Sequence, residues 1–161
     1  MHKFSILLLL LALVQPALAA DEALGIGDSV PQMALPDQFG VQHRLGQEPG
    51  QGPERVLFAA DRPGSRLAQQ ALAGWDSDRM RAARLDYVAD ISGMPAPITR
   101  LFALPALKKL PYPVLLIQDA DGGAMLPHRG NQATLITVAD GHITAIDYFE
   151  AAAPLRDALG D

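Results

Sequence analysis

Arg62, Ser65 and Arg66 are the residues of this 161-residue sequence whose types and spacing come closest to a chemical site. They follow a short apolar run, and Ser65 is placed to cap the start of a helix. Free backbone N–H groups at a helix start, with two guanidinium groups beside them, would bind a carboxylate, sulfate or phosphate. The alternative is that Ser65 is simply an N-cap and that both arginines are solvated. The sequence leaves both interpretations open.

Histidine and acidic residues do not form a metal-binding pattern. His43, His128 and His142 lie far apart in the sequence, and Arg129 beside His128 disfavours a cation. His142 follows a turn and is expected to face solvent. The segment Asp119-Ala-Asp-Gly122 has a faint similarity to a calcium loop but lacks the later oxygen ligands and the closing Glu, so a turn is expected. The sequence therefore predicts no metal site.

The absence of cysteine is the most decisive feature of the composition. It excludes a cysteine nucleophile, disulfide exchange and a thiolate metal site. Gly25-Ile-Gly27 lacks the strand, third glycine and helix of a dinucleotide-binding motif, and no Gly-x-Ser-x-Gly sequence is present, so no cofactor and no hydrolase chemistry is predicted. With 18 acidic against 13 basic residues the net charge is −5, and a nucleic-acid partner is not expected.

Residues 1–19 have the features of an export signal. Lys3 supplies the positive start, Phe4 to Val14 are apolar apart from Ser5, and Ala17 and Ala19 are small residues at the positions that a signal peptidase reads. The apolar run is shorter than the ~20 residues that span a bilayer, so an uncleaved anchor is the weaker alternative. We predict a cleaved signal peptide (1–19), no stable membrane anchor after cleavage, and a periplasmic or secreted location.

The rest of the chain alternates between strand-like and helix-like patterns. Strands are predicted at 30–35 and 41–45 around a turn, then at 55–61, within 85–91, and at 113–118. Helices are indicated by apolar residues at helical spacing: Leu67, Ala68, Ala71, Leu72 and Trp75, then Ile98, Leu101 and Phe102 before Pro105, which ends or kinks the second helix. Asp140-Gly141 predicts a tight hairpin between strands 133–139 and 142–149, and a helix at 151–159 closes the chain. This order indicates a mixed sheet with helices on both faces.

Three segments in this order resemble the thioredoxin-like superfamily, nearest its peroxiredoxin and periplasmic thiol–disulfide oxidoreductase branches. They are Gly27-Asp-Ser-Val-Pro31 through Leu35-Pro-Asp-Gln-Phe-Gly40, then Val56 to Arg66, and Tyr112 to Asp119 followed by Ala133 to Ile143. The resemblance implies a single domain over residues 20–161. Its fold would be a three-layer α/β structure, with a central mixed β-sheet flanked by helices and an N-terminal β-hairpin.

The sequence departs from that superfamily at the redox site. The redox branches begin the helix after the first core strand with two cysteines separated by two residues, and here those positions read Arg62-Pro63-Gly64-Ser65, followed by Arg66. We call Arg62–Ser65 the redox slot. The superfamily places a cis-proline opposite this loop, and here Gln132, Ala133 and Thr134 occupy that region. The resemblance therefore implies that oxidoreductase and peroxidase activity has been lost.

Two functions remain open from the sequence. The first is an exported, redox-inactive binding or accessory protein whose partner is another envelope protein or peptide. Relatives hold extended polypeptide in a shallow apolar groove beside the redox loop, and Met94, Pro95, Leu104 and Pro105 would line it here unless they belong to the core. The second is an oxidoreductase or another enzyme that uses an unrecognised cofactor or a polar active site instead of thiols, because a fold does not fix a function.

Overall fold

The computed structural model of the chain describes residues 23–45 and 54–160, so the predicted signal segment 1–19 lies outside the described residues. The strands are β1 (Met33–Pro36), β2 (Gln42–Leu45), β3 (Arg55–Ala59), β4 (Leu85–Asp90), β5 (Leu115–Ile117), β6 (Ala133–Ala139) and β7 (His142–Phe149). The α-helices are α1 (Arg62–Ala71), α2 (Ser77–Ala82), α3 (Ala96–Ile98), α4 (Leu104–Leu107), α5 (Ala120–Met125) and α6 (Ala152–Leu159), and a π-helical turn (Thr99–Ala103) joins α3 to α4. None of the helices in these two ranges is both long and apolar enough for a membrane span.

A five-stranded mixed sheet in the order β5-β4-β3-β6-β7 forms the centre of the molecule. Strands β3, β4 and β5 are parallel neighbours, while β6 runs antiparallel to β3 and β7 antiparallel to β6. Strands β3 and β5 are apolar runs, as expected of strands whose two faces are both covered. The mixed α/β architecture and the separate N-terminal hairpin β1-β2 confirm the predicted fold class.

The two faces of the sheet bury separate apolar clusters. Adjacent residues of β3 point in opposite directions, so Leu57 contributes to one cluster and Phe58 to the other. Helices α1 and α6 cover the Leu57 side through buried residues such as Ala68 and Leu155. The N-terminal hairpin and the segment after α5 cover the Phe58 side, through residues that include Leu35, Leu45 and Leu126. In this three-layer arrangement α1 begins just beyond the C-terminal end of the central strand β3.

The C-terminal third agrees most closely with the sequence-based prediction. Asp140 and Gly141 have φ values of 50° and 80°, the positive angles that a two-residue hairpin turn requires, and β6 and β7 have the predicted bounds. Residues 27–30 run along the outer edge of β7. The N–H of Gly27 donates to the Ile143 carbonyl at 2.8 Å, and that of Val30 donates to the Gly141 carbonyl at 3.1 Å.

Two local predictions were wrong, and a third is narrowed to one of its alternatives. Ser65 does not cap α1, because the helix begins at Arg62 and the Asp61 side chain is the N-cap. Of the two effects predicted for Pro105, ending the helix is excluded, because α3, the π-helical turn and α4 are continuous over residues 96–107, and the π-helical turn interrupts the regular helix just before Pro105. A proline ring clashes with the carbonyl four residues earlier in a regular α-helix, and the wider π-helical turn before Pro105 accommodates it. Asp119 is followed by the short helix α5 instead of a turn.

Buried polar residues of the N-terminal hairpin attach it to the sheet. The Gln38 side chain donates to the Tyr112 carbonyl at 2.9 Å and accepts from the Val114 N–H at 2.8 Å. The Asp37 carboxylate, only 7% exposed, accepts the N–H of Phe39 at 2.8 Å and contacts Nε2 of His43 at 2.9 Å. Burial alone would raise the pKa of Asp37, but the hydrogen bonds from His43 and the backbone outweigh it and lower the pKa below 3.8.

We expect Asp37→Asn and Asp86→Asn to change stability in opposite directions. Because folding lowers the pKa of Asp37, its ionised form stabilises the folded chain at neutral pH, and this contribution is lost as the pH falls from 3.8 through the lower folded pKa. Burial raises the pKa of Asp86, offset in part by the nearby His43, so ionised Asp86 disfavours folding at neutral pH. At pH 7 Asp37→Asn should therefore lower the free energy of unfolding by about 1 kcal/mol, while Asp86→Asn raises it.

The measurement is urea unfolding at pH 7 and at a pH below 3.8, with the exposed Asp157→Asn variant as the control. The deficit of Asp37→Asn should shrink at the lower pH. A deficit that is the same at both pH values would contradict the ionic role of Asp37.

Candidate functional site

The redox slot lies on the side of the sheet where the parallel strands β3, β4 and β5 have their C-terminal ends, and we call this side the slot edge. An aspartate stands at or just after the end of each parallel strand: Asp61 after β3, Asp90 at the end of β4 and Asp119 after β5. Each carboxylate accepts a backbone N–H at 2.8 Å, from Gly64, Ser92 and Gly122 respectively. The three carboxylates therefore close local turns. Within residues 23–45 and 54–160 no group of three or more His, Asp or Glu side chains is placed to hold a metal ion.

Asp61 joins the start of α1 to the turn that precedes β6. Its Oδ1 accepts the Gly64 N–H at 2.8 Å, and its Oδ2 accepts the Asn131 N–H at 2.6 Å, across 70 positions of the sequence. An acidic side chain at a helix N-terminus is also favoured by the helix dipole. The carboxylate thus takes the place that an external anion would occupy. Of the anion site that the sequence suggested at Arg62, Ser65 and Arg66, the two arginines remain exposed, while the Gly64 N–H at the helix start is already bonded within the chain.

Sequence reasoning missed Asp61 as a site residue, although the signal was present. An aspartate directly after an apolar strand, with a proline in the first helical turn, is a helix-start pattern. Here Pro63 is that proline. Both Asp61 and Ser65 are residue types that cap helices. Because Asp61 is the residue that caps α1, the helix begins at Arg62, upstream of where a Ser65 cap would place its start.

The redox slot is divided between exposed and enclosed residues. Arg62 and the following Arg66 are exposed, Pro63 and Ser65 are half-buried, and Gly64 is buried. A Cβ atom on Gly64 would lie 2.3 Å from the carbonyl oxygen of Gln132, so only glycine fits there without a backbone shift. The backbone of the slot consequently packs directly against the residue before β6.

The Ser65 hydroxyl is engaged inside the protein. It lies 2.7 Å from the Tyr87 hydroxyl, and the Gln69 side chain donates to it at 3.2 Å. Burial raises the pKa of Tyr87 to about 12, against which the bonds to Ser65 and Gln69 have the smaller effect, so Tyr87 is neutral at physiological pH and is not a base. Among the described hydrogen bonds of Ser65, none comes from an imidazole or a carboxylate, which a serine nucleophile needs for activation.

Of Gln132, Ala133 and Thr134, the residues that the resemblance places opposite the slot, Gln132 makes the contact with Gly64. Ala133 and Thr134 are fully buried in β6. Every peptide bond in the described part of the chain is trans. Gln132 is held in turn by its side-chain amide, which donates to Glu150 at 2.8 Å.

The remaining predicted residues are not brought together. His43 contacts Asp37, Nδ1 of His128 contacts the Leu126 carbonyl at 2.9 Å, and His142 is exposed beside Ser29. The proposed groove residues are split, because Met94 and Leu104 pack partly against the core while Pro95 and Pro105 are exposed. The large exposed apolar side chains nearby are instead those of the 96–107 helix: Ile98, Leu101 and Phe102.

Comparison with solved structures identifies the fold. The chain superposes on the thiol:disulfide interchange protein DsbE from Chlorobium tepidum with a TM-score of 0.59 at 18% identity, over 86% of this chain and 94% of the other. It superposes on the peroxidoxin BcpB from Mycobacterium tuberculosis with a TM-score of 0.53 at 21% identity, over 84% and 94%. A thio-disulfide isomerase from Thermus thermophilus gives 0.51 at 19% identity, over 84% and 95%. No family model and no curated protein matches the sequence.

The fold is therefore thioredoxin-like, in a chain without cysteine. This confirms the resemblance inferred from the sequence. At these identities the likeness concerns the fold and not the activity.

Asp61→Ala should destabilise the protein more than Asp76→Ala does. Asp76 caps α2 in the same way, by accepting the Arg79 N–H at 2.8 Å, but α2 is shorter than α1 and Asp76 bonds no distant segment in the described structure. We expect a loss of about 1 kcal/mol for the cap alone and about 2–3 kcal/mol for Asp61→Ala, which also frees the Asn131 N–H. Urea unfolding measures both, and equal losses would show that the bond to Asn131 contributes nothing.

Gly64→Ala tests the close packing of the slot. Alanine normally stabilises a helix by about 1 kcal/mol relative to glycine, but here its Cβ would meet the Gln132 carbonyl. We expect a net destabilisation of about 2 kcal/mol or more. Gly93→Ala is the matched control, since a Cβ at that position meets no atom within 4 Å and should leave the stability nearly unchanged. A stabilised Gly64→Ala variant would contradict the geometry of the slot.

Proposed function

We propose that this chain is an exported, redox-inactive binding or accessory protein that recognises another envelope protein or peptide at the edge of the sheet carrying the redox slot. The observation that carries the proposal is the content of the slot. It holds an exposed arginine, a buried glycine and a serine bonded to a neutral tyrosine, is followed by the exposed Arg66, and lies in a chain without cysteine. A thioredoxin-like scaffold in this state presents a surface but no electron donor or acceptor.

The surface itself supports binding over catalysis. Asp61 closes the helix N-terminus from within, so the Gly64 N–H at the helix start is not free to stabilise a reacting oxygen. Arg62 and Arg66 remain exposed beside it and are suited to carboxylates of a polypeptide. The rival enzyme hypothesis has no activated nucleophile to start from at this edge, because Ser65 lacks a bonded base.

Crosslinking in living cells tests the binding role. A photo-crosslinking side chain at position 62 or 66 should give a discrete adduct with one envelope protein. The same group at position 140, in the exposed hairpin turn at the opposite end of β6, is the control and should give none. Adducts of equal yield at all three positions, or none at any position, would contradict binding at the slot edge.

Restoring the cysteine pair tests whether the slot has been assigned to the right residues. With dithiothreitol as the reductant, the unchanged protein should not accelerate insulin reduction above the dithiothreitol background, because it has no thiol. The double variant Arg62→Cys/Ser65→Cys should form an intramolecular disulfide on oxidation, since the two positions begin α1 three residues apart. Once dithiothreitol has returned that disulfide to the dithiol, the variant should transfer the electrons to the insulin disulfides and accelerate their reduction. Arg62→Cys alone is the control and should lack this activity. Two unpaired thiols in the oxidised double variant would show that the slot does not match a redox loop.

A further inference from the structure

The 96–107 helix is apolar on two sides, and only one of them faces the core. Leu104 and Leu107 pack into the buried cluster on the Leu57 side of the sheet. Ile98, Leu101 and Phe102 are 45%, 68% and 64% exposed, and we call these three residues the outer helix face. All three protrude within five consecutive residues, Leu101 and Phe102 from the π-helical turn itself. A helix with apolar residues on both sides is normally covered on both, so the outer helix face is expected to have an occupant.

The charge around this face is the reverse of the charge of the chain. Residues 91–118 contain Arg100, Lys108 and Lys109 and no acidic residue, although the chain as a whole has a net charge of −5. All three cations are exposed. None of them takes part in an ion pair with another described residue. The helix therefore carries protruding apolar side chains together with positive charges that no described acidic side chain neutralises. A binding surface complementary to it would be anionic on the outside and apolar beneath.

We propose that the outer helix face rests on an anionic phospholipid bilayer, with Ile98, Leu101 and Phe102 entering the boundary between headgroups and acyl chains. Arg100, Lys108 and Lys109 would then contact lipid phosphates, an arrangement that interfacial helices use. The contact is peripheral and reversible, and the net negative charge of the rest of the surface limits its strength.

Two other occupants fit the observations less well. A second copy of this chain packed symmetrically through the same face would bring the two sets of cations together, which is unfavourable. A polypeptide partner gains most from a concave pocket for an anchoring side chain, whereas three large side chains protrude here from a single convex helix. A fluid lipid surface needs no matching shape.

Vesicle co-sedimentation tests the proposal, using the chain that starts at Ala20, which contains every described strand and helix. The protein should bind vesicles of phosphatidylglycerol mixed with phosphatidylcholine and not vesicles of phosphatidylcholine alone. Leu101→Ser/Phe102→Ser should abolish the binding without loss of folding, as checked by circular dichroism, because both side chains are exposed. Ile26→Ser removes a similarly exposed apolar side chain elsewhere and should change nothing.

The electrostatic part has its own matched variants. Lys108→Gln/Lys109→Gln should weaken binding roughly fivefold for each lysine removed, and added salt should weaken the unchanged protein further. Arg44→Gln/Arg129→Gln removes two exposed cations elsewhere on the protein instead and should bind vesicles as the unchanged protein does.

Three outcomes would overturn the lipid proposal: no vesicle binding, binding that Leu101→Ser/Phe102→Ser leaves intact, or an envelope-protein crosslink from position 101 without vesicle binding. The last would assign this face to a protein partner. Because the residues differ from those of the redox slot, each outcome leaves the crosslinking test at position 62 standing on its own.

Discussion

The Asp61 carboxylate is the contact on which the arrangement of the site edge depends. It satisfies the start of α1 with one oxygen and fixes the turn before β6 with the other, so two segments distant in sequence are held at one point. The direct packing of Gly64 on the Gln132 carbonyl follows from that proximity. The chain itself supplies the negative charge at the start of α1. The positive end of the α1 dipole is therefore stabilised without a bound ligand.

The polar groups at the start of α1 are bonded within the chain. The slot serine is bonded to Tyr87 and Gln69, and Asp61 before the slot is bonded on both oxygens. The segment that faces the slot differs, because the buried Oε1 of Gln132 and Oγ1 of Thr134 have no hydrogen-bond partner in the described structure. The groups that the protein exposes are the arginines of the slot edge and the outer helix face, and the two proposals above rest on these.

The sequence predicted the parts of the fold that short-range rules determine. The Asp140-Gly141 turn defines its own strands because both residues tolerate positive φ, and the apolar runs of β3 and β5 indicate strands whose two faces are both covered. The cap of α1 was missed because Asp61 and Ser65 are both good N-caps, and the choice rests on Asn131 and Tyr87, which are remote in sequence. Likewise, the apolar spacing of the 96–107 helix predicted a helix correctly. Because this helix has apolar residues on two sides, however, the sequence pattern could not show which side packs against the core.

The pairing of residues 27–30 with the outer edge of β7 has a practical consequence for handling the protein. An unpaired edge strand is a template for strands from other molecules, and this short stretch blocks part of that template by forming backbone bonds with Gly141 and Ile143. A chain shortened to begin at β1 would keep all of the fully buried core residues but would lose the backbone pairing that covers the edge of β7. Aggregation of such a shortened protein would therefore reflect an opened sheet edge and not a failure of the core to fold.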